Sequence, residues 1–179
     1  KAIRNLFVAP EGHKLIVADY SQIEPRVIAS FSGDRIMCSA YNNGEDIYTT
    51  IGDTMGVDRK AGKVLVLSLA YGVGPDKIAN EIGCTLTEAR NLLDTFSKKF
   101  PAVNLYKKRI ISDCRRQSPI PFARTLLNRR RYLPDLRSRE QWKRARAERQ
   151  AFNTVIQGSA ADLIKVAMVR ARNMVPEES

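Results

Sequence analysis

The sequence predicts a helix-rich α/β fold: a small antiparallel sheet joined to a helical lobe. Two short apolar runs near the N-terminus, 6–8 and 15–18, flank the turn signal Pro10-Glu11-Gly12 and read as paired strands. Helix punctuation then recurs along the middle of the chain. A second hairpin signal and two long helical patterns fill the remainder. In order, 25–32 reads as a helix stopped by Gly33, and 36–41 as a short helix ended by Asn42-Asn43-Gly44. Residues 46–55 are helical up to Gly56. Thr85-Leu86-Thr87-Glu88 is a capping box, and the helix after it puts Leu86, Ala89, Leu92, Leu93 and Phe96 on one face. Pro101 permits a further helix over 102–116. Residues 119–133 contain a hairpin with Asn128 suited to its turn, and 138–157 and 160–174 are helical.

The formal net charge of +11 is concentrated. Between Lys98 and Gln150 there are 17 Lys or Arg against 4 Asp or Glu, a net of +13 that leaves −2 for all other residues. One cationic block of that size suits a polyanion, and the interleaved Tyr106, Phe122, Tyr132 and Trp142 suit nucleic acid. A solvated helix face is the plainer alternative. The cysteines Cys38, Cys84 and Cys114 are far apart, with no CxxC pair and only His13 to add an imidazole. That argues against zinc and for a reducing, cytoplasmic setting. No apolar run approaches the roughly 20 residues of a membrane span, so no membrane partner is expected.

Three patterns carry chemistry. In the stretch LIVADYSQIEPRVIA, 15–29, an apolar run ends in the carboxylate Asp19, and Glu24 opens the following helix. Asp19 has no basic neighbour, so it is either a turn or N-cap residue or a ligand for a metal or phosphate site. Arg59, Lys63, Leu67 and Tyr71 stand four apart and would form one slanting helical stripe about 18 Å long. Its cationic end suits phosphates and its apolar end a base and sugar. Pattern alone, however, favours a buried strand for the apolar, β-branched run 64–71. Arg149, Asn153 and Gln157 are again four apart, and their donors suit minor-groove acceptors that all base pairs share.

DYSQIE, 19–24, resembles the first catalytic motif of the family A, DNA polymerase I-like, DNA polymerases. RKAGKVLVLSLAYG, 59–72, resembles their second motif, TLLNRRRYLPDL, 125–136, their hairpin segment, and RQAFNTVIQGSAAD, 149–162, a motif near the primer terminus. The resemblance decides for a helix at 59–72 and implies palm for 1–45, mainly fingers for 46–133 and a return to palm for 134–179. It implies template-directed transfer of dNTPs to a primer 3′ end, with primer-template DNA as partner and a monomeric enzyme. By resemblance Asp19 ligates two Mg2+ ions about 4 Å apart, helped by the Tyr20 carbonyl. Arg59 and Lys63 hold the triphosphate, and Lys63 is placed to protonate the leaving group. Glu24 is the gate against a 2′-hydroxyl, helped by Tyr71, while Gln22 supports the nucleotide pocket. Arg129, Arg130, Arg131, Arg149, Asn153 and Gln157 face DNA.

Several positions depart from the family pattern. Leu67 stands where an aromatic ring is usual, Ser68 for a common Gly, and Tyr48 for a common His. The short link from Tyr48 to Arg59 is phage-like. Pro25 biases Glu24 away from the α region. The family's second catalytic carboxylate lies in a His-Asp-Glu motif, which these residues lack, so a fragment of a larger polymerase, inactive by itself, is expected. The alternatives are a non-catalytic DNA-binding module on this scaffold and a single-subunit RNA polymerase. Glu24 argues against the second.

Overall fold

The computed structural model describes residues 2–174. Eight α-helices and one two-stranded antiparallel sheet make up most of the described residues. A 3-10 helix, Ala2–Leu6, leads into a stretch without regular structure that runs to Tyr20, broken by a turn at 11–12. The Pro10 turn forms as expected, closed by His13 N–H donating to the Pro10 carbonyl (3.0 Å), with Gly12 in the left-handed region at φ 77°. The strands predicted on either side of it do not form. No described strand lies beside them, so their backbone groups have no ladder. Ile16 and Val17 are 86% and 90% exposed. A short apolar run does not make a strand without a partner edge.

Helix α1, Ile23–Ser32, begins where Gln22 adopts the left-handed conformation at φ 57°, ψ 43°. Glu24 lies within the helix despite the following proline. Pro25 costs no hydrogen bond there, because Arg26 N–H is the first to close an α-turn, onto the Gln22 carbonyl (3.1 Å). The buried Pro25 ring packs where its missing N–H is not needed. Helices α2, Arg35–Asn42, and α3, Ile47–Met55, follow, capped by Asp34 and Asp46 accepting from Met37 N–H and Thr49 N–H.

Helix α4, Arg59–Tyr71, carries the stripe of residues four apart, and the run 64–71 is helix rather than strand. Asp58 caps its start by accepting from Ala61 N–H (2.7 Å), and Gly72 ends it in the left-handed region. It lies against α3 so closely that two glycines face each other. A Cβ on Gly62 would sit 2.3 Å from the Tyr48 carbonyl oxygen and 2.9 Å from Gly52 N. Gly62, a poor helix former by propensity, is therefore required by the approach of the two backbones.

Helix α5, Pro75–Ile82, was not foreseen, although Gly74-Pro75 is a helix start. It packs with α6, Leu86–Lys99, in a small cluster of Ile78, Ala79 and Ala89. The Thr85 capping box at the start of α6 is complete in both directions. Helix α7, Pro101–Arg116, leads to strands β1, Phe122–Arg124, and β2, Arg130–Tyr132, paired Phe122 to Tyr132. Asn128 sits in their turn at φ 64°.

The two C-terminal helices expected from the sequence are one, α8, Gln141–Met174. Gly158 does not break it. A Cβ there would meet Thr125 Cγ2 at 2.4 Å, so this glycine lets the hairpin approach the helix. Asp162 of α8, 1% exposed, then anchors the hairpin tip. Its carboxylate accepts from Leu127 N–H (2.9 Å) and Arg129 Nε (2.5 Å), and Ser159 Oγ accepts from Leu126 N–H (2.9 Å). Burial pushes the Asp162 carboxyl up, but donors from Thr125, Leu127 and Arg129 outweigh it and hold the group below the usual carboxylate range. Asp162→Ala strands a backbone N–H and a guanidinium, and should cost about 2–3 kcal/mol in urea unfolding. The main core joins α1, α4, α7 and α8 through Ile28, Leu65, Val66, Val103, Phe152 and Ile156.

Candidate active-site face and nucleic-acid groove

Asp19 and Tyr20 lie on the irregular stretch before α1, exposed to solvent. Four residues after Tyr20, Glu24 faces the C-terminal end of α4, where Tyr71 Oη donates to Glu24 Oε1 (3.3 Å). Burial, followed by the charge of Glu24 and this hydrogen bond, raises the Tyr71 phenol above its ordinary value. The DYSQIE segment and the Arg59–Tyr71 stripe thus meet at one end, through two residues 47 apart in sequence.

They also meet at the other end, through a residue that the sequence reading passed over. The Asp46 carboxylate accepts from Gln22 Nε2 (3.1 Å), from Arg59 Nε (2.9 Å) and Nη2 (3.3 Å), and from Thr49 N–H (3.0 Å) and Oγ1 (2.8 Å). Burial raises its pKa, but the donors of Arg59, Thr49 and Gln22 outweigh that and hold the group at about 2. In sequence Asp46 shows only the signature of an N-cap, which it also is. Tyr48 lies beneath both cations of the stripe, with Arg59 Cζ 5.5 Å and Lys63 Nζ 5.9 Å from its ring centroid.

Because the folded carboxyl lies below its ordinary value of 3.8, the Asp46 bonds stabilise the fold fully above about pH 4. That stability is lost as pH falls towards 2. Acid titration followed at the α3–α4 amides should show the loss, and Asp46→Asn should remove this limb of the curve.

The stripe is formed as expected. Arg59, Lys63 and Tyr71 are exposed and Leu67 is half-buried. Behind it, the other face of α4 closes a cavity of about 590 Å³ with Phe96, Phe100, Val103, Lys107 and Arg149. Lys107 has its ammonium pKa lowered, first by burial and then by Arg149.

The DNA-facing candidates divide into two groups. Arg129, Arg130, Arg131, Asn153 and Gln157 line one groove of about 230 Å³ between the hairpin and α8. Within it Arg129 is committed to Asp162 and to the Gly158 carbonyl (2.9 Å), while Arg130 lies over the Phe122 ring and Arg131 reaches Thr154 Oγ1 (3.4 Å). Asn153 and Gln157 donate to the last carbonyls of α4, Tyr71 (3.1 Å) and Ala70 (3.2 Å). Arg149 sits apart, with its aliphatic carbons against Gly72.

For a divalent metal the donor chemistry is partial. Asp19 and the Tyr20 carbonyl are hard oxygen ligands of the kind Mg2+ takes, but Mg2+ relies on one or two carboxylates together with phosphates and water. Among the described residues no three His, Cys, Asp or Glu side chains cluster to hold a metal ion.

One solved structure that this chain resembles is a polymerase domain, the POL domain of Pol1 from M. smegmatis in complex with DNA primer-template and dNTP. The match has a TM-score of 0.77 and 34% identity, over 87% of this chain and 29% of that one. The profile of DNA polymerase family A matches residues 1–179. The chain belongs to DNA polymerase family A. Its relatives include the thermostable DNA polymerase I of Thermus filiformis, 40% identical over 94% of this chain and 21% of that protein. DNA polymerase I of Lactococcus lactis is 35% identical over 94% and 20%. The chain therefore spans about a fifth of the length of the curated relatives it matches. No helix of the described residues is long and apolar enough to cross a membrane.

Proposed function

We propose that the chain supplies part of the palm and the fingers of a template-directed DNA polymerase, which adds dNTPs to a primer 3′ end. The observation that supports this most is the double contact between DYSQIE and α4: Gln22 with Arg59 through Asp46, and Glu24 with Tyr71. One end of the stripe offers cations for a triphosphate. The other offers Leu67, Tyr71 and Glu24 beside the place a sugar would take. Family membership and the primer-template and dNTP of the related POL domain agree with that reading.

In this reading residues 1–45 are palm, 46–133 mainly fingers, and 134–179 palm again. Arg59 and Lys63 grip the triphosphate, and the Lys63 ammonium is within reach to protonate the departing pyrophosphate. Glu24, held by Tyr71, fills the space of a 2′-hydroxyl, and Gln22 steadies the loop beneath. Asp19 and the Tyr20 carbonyl would hold the catalytic Mg2+ together with groups from the rest of the protein. When bound, that ion supplies Lewis acidity for the primer hydroxyl and charge for the phosphates. Arg130 and Arg131 present guanidinium forks to phosphates, while Arg149, Asn153 and Gln157 lie along the primer-template.

Primer extension by the full-length protein, dNTP against rNTP, tests this. Extension should require dNTP and fall by about a thousandfold in Asp19→Asn. Unchanged extension in that variant would remove Asp19 from the chemistry. Equal use of rNTP would favour an RNA polymerase.

A further inference from the structure

Two separate jobs meet on Asp46. It caps α3, which needs one acceptor only, yet its two oxygens receive five donors from three residues. Apart from the two donors of Thr49, the others come from Arg59 and Gln22. The Arg59 guanidinium is held along its Nε–Nη2 edge by the carboxylate and underneath by the Tyr48 ring. An arginine gripped on that edge keeps its Nη1 edge free, and its plane is fixed. The same carboxylate ties this plane to Gln22, whose left-handed backbone starts α1 just after Asp19 and Tyr20.

We propose that Asp46 is a positioning residue for the triphosphate: it orients Arg59 so that the free guanidinium edge faces the phosphates, in register with the Asp19 loop. The inference rests on the reading of Arg59 as a triphosphate ligand. Pre-orientation matters because a long, exposed arginine otherwise loses rotamer freedom on binding. A misplacement of about 1 Å in such a group can cost as much as 100-fold.

The test is a double-mutant cycle on the full-length protein with primer-template, in which the correct dNTP is titrated under single-turnover conditions. Asp46→Asn keeps an N-cap acceptor and loses the carboxylate edge; Asp46→Ser does the same with a shorter side chain and serves if the first variant melts. The expected result is a rise in dNTP Kd of about tenfold, with the maximal rate changed by less than about twofold. Either change should add nothing in an Arg59→Ala background. Kd unchanged or lowered by Asp46→Asn, or raised equally with and without Arg59, overturns the proposal. An Arg59→Ala protein with normal Kd instead overturns the reading of Arg59 itself.

Discussion

Gly62→Ala should destabilise the protein by about 3 kcal/mol and disable nucleotide binding together. The added methyl would lie 2.3 Å from the Tyr48 carbonyl oxygen and 2.9 Å from Gly52 N, both backbone atoms. A flexible side chain could step aside, but here two helices must separate. Separation takes Arg59 away from Asp46 and both cations away from the Tyr48 ring, because α3 carries Tyr48 and starts at its cap Asp46, while α4 carries the cations. Urea unfolding gives the stability loss, and dNTP titration of the folded fraction gives the second effect. By helix propensity alone the same change should stabilise α4 by up to about 1 kcal/mol, so the sign of the result separates the two accounts.

Arg59→Ala and Lys63→Ala should each weaken dNTP binding by about 10- to 150-fold, the range of charge-assisted hydrogen bonds to a phosphate. Neither should unfold the protein, since both side chains are exposed and the Arg59–Asp46 pair is partly solvated. The double variant should lose more than either alone. Affinity for primer-template without nucleotide should stay the same, because the hairpin and α8 groove lie on other elements. Equilibrium titration of labelled DNA and single-turnover dNTP titration distinguish the two. A loss of DNA affinity equal to the loss of nucleotide affinity would move these residues from triphosphate to backbone contacts.

How far this could be read beforehand differs by element. The capped helices were legible because Gly33, Gly56, Thr85 and Glu88 are local chemistry, and the hairpin because Asn128 tolerates a positive φ. Helix α4 was not legible from its apolar run, which suits a buried strand. The resemblance supplied it, although Asp58 and Gly72 at its ends were usable caps. The strands at 6–8 and 15–18 failed for the opposite reason: the pattern was right for a sheet, but strand formation depends on a neighbour that sequence pattern does not reveal. The pattern placed Gly158 between two helices, but it lies inside one, where it makes room for Thr125. Asp46 was hidden because an N-cap and a five-donor acceptor look identical in one dimension. The bias that Pro25 puts on Glu24 was overridden: Glu24 is helical, and Pro25 sits in the first turn, where Arg26 N–H is the first to close an α-turn.

The central claim is that DYSQIE and the Arg59–Tyr71 stripe form one nucleotide site. Hydrogen–deuterium exchange of the full-length protein on a primer-template, with and without the correct dNTP, tests it most directly. Added protection should fall on residues 19–24, 46–49 and 59–71 together, and should vanish at 59–71 in the Arg59→Ala, Lys63→Ala double variant. Protection confined to the cavity behind α4, at 93–107, with none at 19–24 or 59–71, would contradict the account.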